Sequence, residues 1–339
     1  MTVLELDDAS KFFRTQTGLG ALLSRDQEYV KAVNDVSLQL DDGEIVGLVG
    51  ESGCGKTTLG KVVMRIHELT DGEITLHGTP IEEYGRKEYF QEVQMVFQDP
   101  FKSLNPQMTV REQLAEPLKV HGHDDREERI RESLEFANLT PPDQYLDRYP
   151  HEISGGEKQR VAIARALVLD PSVIIADEPV SMLDVSIRAG VLNLFRQLAE
   201  ERDVTILYIS HDLATVRHIC TEIAVMYLGK VMEYGPTERI CSTPSHPYTE
   251  RLLSATPVAD PTHDRSKVVY DEEVPDPVDL PDGCFFKHRC EFATEACDEE
   301  DMHLRPPAKA EADDEDWLMA CHRAADGDLD WETIPSHNL

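Results

Sequence analysis

Short apolar runs alternate with helical patterns along most of the chain. The run over residues 44–49 precedes a helix-forming stretch at 56–67. Two further β-branched runs, at 172–176 and 204–209, are separated by a helical pattern at 187–201. Strands that alternate with helices in this way are typical of a parallel sheet with crossover helices. We therefore predict an α/β fold with ligand-binding residues just past the strand ends.

The rest of the pattern divides the chain. Residues from about 100 to 170 are mainly helical in pattern, which predicts a helical insertion into the sheet domain. Residues 258–283 are rich in Pro and Asp, as in an extended linker. We predict one α/β domain over residues 1–257, followed by the linker and a C-terminal four-cysteine segment over residues 284–339.

The charge of the chain excludes one class of partner. The net charge is −32, from 65 acidic and 33 basic residues, and half of it lies before residue 260. Nucleic-acid binding needs clustered Lys and Arg, so we expect no nucleic-acid partner. Acidic residues spread this widely indicate a halophile, because concentrated salt screens the repulsion among them. An ordinary acidic protein with an acidic tail is the alternative.

The hydrophobic pattern also bears on membranes. Met1 is followed by polar and acidic residues, and no stretch approaches the roughly 18 apolar residues that a membrane span needs. We therefore expect any contact with a membrane to come through a partner subunit.

A phosphate-binding loop follows the first apolar run. Residues 50–57 read GESGCGKT, with a predicted strand before them and a predicted helix after them. Backbone N–H groups of such a loop and the helix N-terminus bind phosphates, Lys56 reaches the β- and γ-phosphates of ATP, and Thr57 holds Mg²⁺. The predicted nucleotide-contacting residues here are Gly50, Ser52, Gly53, Cys54, Gly55, Lys56, Thr57 and Thr58.

A second motif, which is acidic, would complete a hydrolysis site with the P-loop. Asp177 and Glu178 end the apolar run that begins at residue 172. An aspartate at the end of a buried strand can hold Mg²⁺ directly or through water. The adjacent Glu178 can accept a proton from the attacking water, so we predict that it is the general base.

Residues 153–160, ISGGEKQR, open a helix and carry a family resemblance. The chain resembles the ATPases of ABC transporters, whose signature sequence is similar to Ser154, Gly155 and Gly156. Ile153 and Glu157 stand where that family usually has Leu and Gln, and neither change removes the phosphate-contacting groups. The resemblance implies a P-loop ABC ATPase domain: a RecA-like sheet core with a helical insertion and an antiparallel β subdomain.

The resemblance implies roles for further residues. Gln98 resembles the glutamine that senses Mg²⁺ and the attacking water, and Asp184 resembles the aspartate that crosses the dimer interface. His211 resembles the switch histidine that contacts the γ-phosphate. Taken without this context, a single histidine after a strand is more often structural.

One aromatic residue is implied to stack on adenine. Phe13 resembles that residue in the family. Phe12 and Tyr29 are alternatives, and a core position for Phe13 is a further one.

Three short stretches narrow the resemblance to dipeptide and oligopeptide importers. They are residues 99–106, 177–181 and 246–249, and Val180-Ser181 is similar to the second of the two ATPase subunits in those systems. The implied partners are a second, non-identical ATPase, two transmembrane permease subunits and an extracellular substrate-binding protein. The implied location is the cytoplasmic face of the membrane.

Other functions remain open at this point. Similar importers carry oligosaccharides or nickel. A soluble ABC ATPase of DNA repair or of ribosomes is a rival from another class. It would predict twin cassettes, a long coiled coil or a basic surface, and the sequence shows none of these.

Four of the seven cysteines, Cys284, Cys290, Cys297 and Cys321, fall within 38 residues. Their spacing is wide for zinc, and iron–sulfur clusters accept more varied spacing. Similar cysteine segments in the peptide-importer group imply a [4Fe–4S] cluster, with Zn²⁺ and the absence of a metal as alternatives. Because the segment is far in sequence from the nucleotide motifs, we expect its folding to leave ATP binding largely unaffected.

Overall fold

The computed structural model describes one long stretch, a short one at the N-terminus and several short ones near the C-terminus. Most of the predicted linker 258–283 and residues 330–339 lie outside the described residues. The described ranges are 1–15, 28–255, 277–278, 280–298, 302–310 and 316–329.

Strands and helices alternate through the middle of the chain. The strands are β1 (Thr2–Arg14), β2 (Tyr29–Asp41), β3 (Ile45–Val49), β4 (Asp71–Leu76), β5 (Thr79–Pro80), β6 (Val93–Val96), β7 (Val173–Asp177), β8 (Thr205–Ser210), β9 (Glu222–Tyr227), β10 (Lys230–Pro236) and β11 (Leu318–Met319). The α-helices are α1 (Lys56–Val63), α2 (Arg86–Glu92), α3 (Pro100–Ser103), α4 (Val110–His121), α5 (Arg126–Phe136), α6 (Gly155–Leu167), α7 (Val185–Arg202), α8 (Leu213–Ile219), α9 (Thr237–Ser242), α10 (Pro247–Ala255) and α11 (His322–Asp326).

The main sheet has seven strands in the order β11-β10-β9-β3-β8-β7-β6. The five strands from β9 to β6 are parallel, and β10 and β11 run antiparallel to their neighbours. Every residue of β3, β7 and β8 is buried, which explains their continuous apolar sequences. Because the parallel strands end at one edge, the residues that follow β3, β6, β7 and β8 lie side by side.

A second sheet, in the order β2-β1-β4-β5, is antiparallel. Its apolar face, which includes Leu4, Leu6 and Leu38, packs in one core with Leu59 and Val62 of α1. The helix that follows the P-loop is therefore held between the two sheets.

The helical insertion contains α3, α4, α5 and α6. Thr109 begins α4 with a reciprocal capping box to Glu112, and Gly122 ends it in a left-handed conformation with φ of 83°. Together with the sheets, this arrangement matches the fold predicted from the sequence. In the part of the chain that the structure describes, no helix is long and apolar enough to cross a membrane.

The C-terminal segment, defined here as the described residues from 280 to 329, joins the main sheet. Its strand β11 pairs with β10, and the fully buried Trp317 donates from Nε1 to a carboxylate oxygen of Glu233 at 2.9 Å. The buried carboxylate of Glu233 also accepts the backbone N–H groups of Ser245 and His246, at 2.8 and 3.0 Å. Burial raises the pKa of Glu233, and these three donors satisfy its oxygens.

Candidate nucleotide-binding and hydrolysis site

The P-loop connects the end of β3 to the first turn of α1, and two of its glycines fit against backbone. A Cβ atom on Gly50 would lie 2.1 Å from the carbonyl oxygen of Met226, and one on Gly55 would lie 2.0 Å from that of Ala32. Gly55 has φ of 113°, a conformation that side chains other than glycine rarely adopt. The residues predicted to contact the nucleotide all lie in this turn: Gly50, Ser52, Gly53, Cys54, Gly55, Lys56, Thr57 and Thr58.

Lys56 is held by the loop itself. Its Nζ donates to the carbonyl oxygens of Gly50 and Glu51 at 2.8 and 2.9 Å, and the residue is 6% exposed. The ammonium group therefore lies inside the loop, at the first residue of α1, where a phosphate can meet it. A loop of this shape fits the triphosphate of a nucleotide.

Two oxygen atoms beside Lys56 fit a divalent cation. Thr57 Oγ1 donates to Asp177 Oδ1 at 3.2 Å, which joins α1 to the end of β7. Burial raises the pKa of Asp177, and the hydrogen bond from Thr57 opposes this shift. A hydroxyl and a carboxylate are ligands that Mg²⁺ accepts, so these two residues suit the predicted magnesium site.

Three predicted catalytic residues form one hydrogen-bonded group. Gln98 Nε2 donates to Glu178 Oε2 at 2.8 Å, and His211 Nδ1 lies 2.8 Å from Glu178 Oε1. These residues follow β6, β7 and β8, three neighbouring strands, so the topology brings them together. Both oxygens of the Glu178 carboxylate are thus oriented by side chains on either side.

The backbone of Glu178 is also constrained. Its φ is 47°, which is uncommon for a residue with a side chain, and its N–H donates to the carbonyl oxygen of Ile209 at 2.9 Å. Such conformations persist where surrounding contacts fix them, and they cluster at functional sites.

Among the described residues, no hydrogen bond links the signature turn, Ser154 to Gly156, to the P-loop of the same chain. Ser154 is the N-cap of α6 and accepts from Glu157 N at 3.3 Å, and Gly155 and Gly156 form the first turn of that helix. Asp184 is the exposed N-cap residue of α7. It is flanked by two exposed apolar side chains, Met182 at 59% and Val185 at 81%.

Arg188 is a site residue that the sequence analysis missed. Its Nε donates to the carbonyl oxygen of Leu183 at 2.8 Å, and its Nη1 lies 3.9 Å from a carboxylate oxygen of Asp212. It thereby connects the turn that ends in Asp184 to the residue after His211. A single arginine on a helix carries no local signal for these contacts.

Phe13 lies away from the P-loop end of α1. Its ring packs edge-on against His67, with ring centroids 5.2 Å apart, and His67 follows the C-terminal end of α1. The ring centroid of Phe12 lies 5.7 Å from the ammonium of Lys31. Lys31 directly precedes Ala32, whose carbonyl oxygen packs against Gly55. The adenine-stacking role of Phe13 stays a prediction, with Phe12 and Tyr29 as its alternatives.

The four clustered cysteines do not form the predicted metal site. Cys284, Cys290, Cys297 and Cys321 line one cavity of about 20 Å³, room for about one water molecule. Burial raises the pKa of the Cys284 and Cys290 thiols to about 12, so both are neutral in this arrangement. Across the described residues, no group of three or more His, Cys, Asp or Glu side chains could hold a metal ion. The prediction of an iron–sulfur cluster, with zinc as its alternative, is therefore wrong.

Two family models match the chain. The model of ABC transporters matches residues 33–181, and the model of the oligopeptide/dipeptide transporter C-terminal region matches residues 232–297. The second match includes β10, the helices that follow it and three of the clustered cysteines. Together the two models span the P-loop and the first part of the C-terminal segment, up to Cys297.

Several known proteins are similar over most of their length. The chain is 44% identical over 330 residues to the oligopeptide transport ATP-binding protein AppF of Bacillus subtilis, which covers 95% of this chain and 97% of AppF. It is 40% identical over 329 residues to the di/tripeptide transport ATP-binding protein DppF of Pseudomonas aeruginosa, which covers 95% of this chain and 98% of DppF.

Solved structures share the fold. A dimeric post-hydrolysis state of the ATP-binding cassette MJ0796, bound to ADP and Pi, superposes with a TM-score of 0.58 and 27% identity. The superposition covers 69% of this chain and 98% of that chain. The fold class predicted from the sequence is therefore confirmed.

Proposed function

Because this chain belongs to the ABC transporter ATP-binding proteins of the oligopeptide/dipeptide importer family, we propose that it hydrolyses ATP to drive peptide uptake through a separate permease. The ATPase is of the ABC type, and its relatives are named as oligopeptide and di/tripeptide transport proteins. The observation that carries the hydrolytic role is the Glu178 carboxylate, held by Gln98 and His211 beside Asp177 and Thr57.

Glu178 acts as the general base in this proposal. Gln98 and His211 orient its two oxygens, so one of them can accept a proton from a water aligned with the γ-phosphate. Lys56 and the P-loop N–H groups bind the phosphates and balance their charge. Mg²⁺, held by Thr57 and Asp177 with Gln98 nearby, would neutralise charge on the β- and γ-phosphates.

Two cassettes complete the site. Ser154, Gly155 and Gly156 would contact the nucleotide bound to the P-loop of a partner cassette, and Asp184 would cross the interface. The exposed Met182 and Val185 beside Asp184 support this pairing, because apolar side chains at such exposure favour burial in a contact. We propose that the partner is a second, non-identical ATPase.

The permease would bind where the helical insertion meets the sheet. A groove of about 160 Å³ lies between β6 and the insertion, lined by Phe97, Leu104, Pro117 and Arg165 among others. Phe97 is 41% exposed and directly precedes Gln98. A permease segment bound in this groove would therefore shift Gln98 in the hydrolysis site. Two permease subunits and an extracellular substrate-binding protein would place the chain on the cytoplasmic face of the membrane.

Purification of the assembled transporter tests the pairing and the substrate. We expect this chain, isolated from its native membranes, to bring down the permease and a second ATPase of different sequence. Peptides presented by the binding protein should stimulate ATP hydrolysis by the reconstituted complex. A complex that contains only this ATPase would contradict the proposed pairing with a second ATPase. Stimulation by nickel or oligosaccharides, but not by peptides, would contradict the proposed peptide substrate.

We also propose that the chain works in concentrated salt. The acidic side chains behind the net charge of −32 repel one another. Raising the salt from about 0.1 M to about 1 M shortens the Debye length from about 10 Å to about 3 Å and screens this repulsion. The melting temperature should therefore rise by several degrees between about 0.1 M and 2 M KCl. Measurement in matched sucrose solutions controls for preferential exclusion. An unchanged or lower melting temperature in KCl would contradict the proposal.

A further inference from the structure

The C-terminal segment reaches the P-loop through Arg289. Nη1 and Nη2 of Arg289 each lie 2.8 Å from a different carboxylate oxygen of Glu51, which is 238 residues away in sequence. The Arg289 side chain is 6% exposed and that of Glu51 is 26% exposed. A forked pair of this kind is among the stronger polar contacts in proteins, and it fixes both side chains in one geometry.

Several contacts hold the guanidinium in place. Nη1 also donates to the hydroxyl of Tyr227 at 3.2 Å, and the group lies over the rings of Tyr227 and Phe286 at 5.6 and 5.8 Å. The carbonyl oxygen of Arg289 accepts from Nη1 of Arg251 at 3.2 Å. Within the part of the chain that the structure describes, the buried Arg289 Nε has no hydrogen-bond partner, and the hydrogen bonds of the guanidinium go to Glu51 and Tyr227.

Glu51 in turn connects three parts of the site. Its side chain binds Arg289, its N–H donates to the hydroxyl of Tyr248 at 3.0 Å, and its carbonyl oxygen accepts from Lys56 Nζ at 2.9 Å. Arg289 therefore fixes the residue that also holds the phosphate-binding lysine. It also balances the negative charge of Glu51, which lies in the loop proposed to bind the triphosphate.

We propose that Arg289 is a positioning residue of the ATPase, which couples the fold of the C-terminal segment to ATP binding. The pair of side chains Arg289 and Glu51, here called the clamp, keeps the P-loop in its phosphate-binding shape. Arg289 also balances the charge of Glu51. This inference rests on ATP binding at the P-loop and does not depend on the transported solute.

Substitution of Arg289 tests the clamp in the assembled transporter, because the proposed hydrolysis site is completed by the partner cassette. Arg289→Ala should raise the Kd for ATP and the KM for ATP about tenfold, within the range expected for coupling between two sites, while kcat at saturating ATP changes about twofold or less. Adding Glu51→Gln to Arg289→Ala should recover about a third or more of the lost affinity on a logarithmic scale, because it removes the uncompensated carboxylate.

A matched control lies in the same turn. Lys287 is two residues away and forms an ion pair with Asp298, inside the C-terminal segment. Lys287→Ala therefore removes a cation and an ion pair without touching the P-loop, and the KM for ATP should stay within about twofold of the parent. An equal rise in KM for both variants would show that the turn is merely structural and would overturn the clamp.

Reciprocity gives a second readout. If Arg289 couples the two regions, ATP must stabilise the C-terminal segment as much as the segment stabilises ATP binding. Hydrogen exchange should show ATP-dependent protection of the amides of residues 284–290 in the parent chain and its loss in Arg289→Ala. If Arg289→Ala does not fold, Arg289→Lys carries the test, because it keeps the charge, loses the fork and should give an intermediate KM.

The outcomes separate this inference from the proposed function. A parent chain that binds no ATP contradicts the proposed function. A parent that binds ATP, with an unchanged KM in both Arg289 variants and no ATP-dependent protection of residues 284–290, overturns the inference alone.

Discussion

Glu178→Gln is expected to bind ATP with nearly unchanged affinity and to hydrolyse it at least ~100-fold more slowly, the scale of losing a positioned general base. Glutamine keeps the size of the side chain, so Gln98 and His211 can remain near their present positions. What disappears is the carboxylate that we propose accepts the proton from the attacking water. A 100-fold loss corresponds to about 2.7 kcal/mol of transition-state stabilisation.

The experiment compares two glutamine variants of the assembled transporter. Single-turnover hydrolysis and equilibrium ATP binding should be measured for Glu178→Gln and for Glu44→Gln. Glu44 is partly buried and directly precedes β3, at the end of that strand opposite the P-loop, where it accepts from Thr221 Oγ1 at 3.1 Å. Glu44→Gln should hydrolyse ATP at a near-normal rate. Near-normal turnover of Glu178→Gln would mean that another group is the base.

Gly55→Ala is expected to weaken ATP binding at least ~100-fold, because the loop must move to admit the new methyl group. The Cβ atom would lie 2.0 Å from the backbone oxygen of Ala32, and the φ of 113° adds strain. A backbone oxygen in β2 cannot swing aside as a side chain can. The collision therefore displaces the turn that holds Lys56.

Gly122→Ala is the matched control for this substitution. Gly122 has φ of 83°, and a Cβ atom there would meet nothing within 4 Å. It lies at the end of α4, outside the P-loop, so the variant should show slightly lower stability and the ATP affinity of the parent. The Kd for ATP and the thermal melt should be measured for both variants. ATP affinity of Gly55→Ala within about threefold of the parent would show that packing against Ala32 does not fix the loop.

Local patterns in the sequence predicted the P-loop, Asp177 and Glu178, whereas the resemblance to ABC transporter ATPases implied the roles of Gln98 and His211. Gln98, Glu178 and His211 each follow an apolar run, and parallel strands end at one edge of a sheet. Once β6, β7 and β8 are neighbours, these side chains must converge, and the structure places them within hydrogen-bonding distance. The P-loop needed even less, because its glycines and Lys56 are adjacent in sequence.

The cysteines show where local patterns fail. Their clustering in sequence suggested a metal site, and the structure does bring them to one cavity. Spacing alone, however, says nothing about the room between the side chains or their protonation. The cavity has room for about one water molecule, and burial favours the neutral thiols of Cys284 and Cys290.

The sequence by itself determined the sheet with its helical insertion, the P-loop and the residues at the strand ends, because each depends on contacts between close neighbours or on strand polarity. Tertiary structure alone decided that β11 joins the main sheet, that Phe13 packs against His67, and that Arg289 clamps Glu51. The sequence analysis predicted that folding of the C-terminal segment leaves ATP binding largely unaffected. A contact across 238 residues leaves no periodicity or spacing in the chain, since it arises only when two separately formed surfaces pack together.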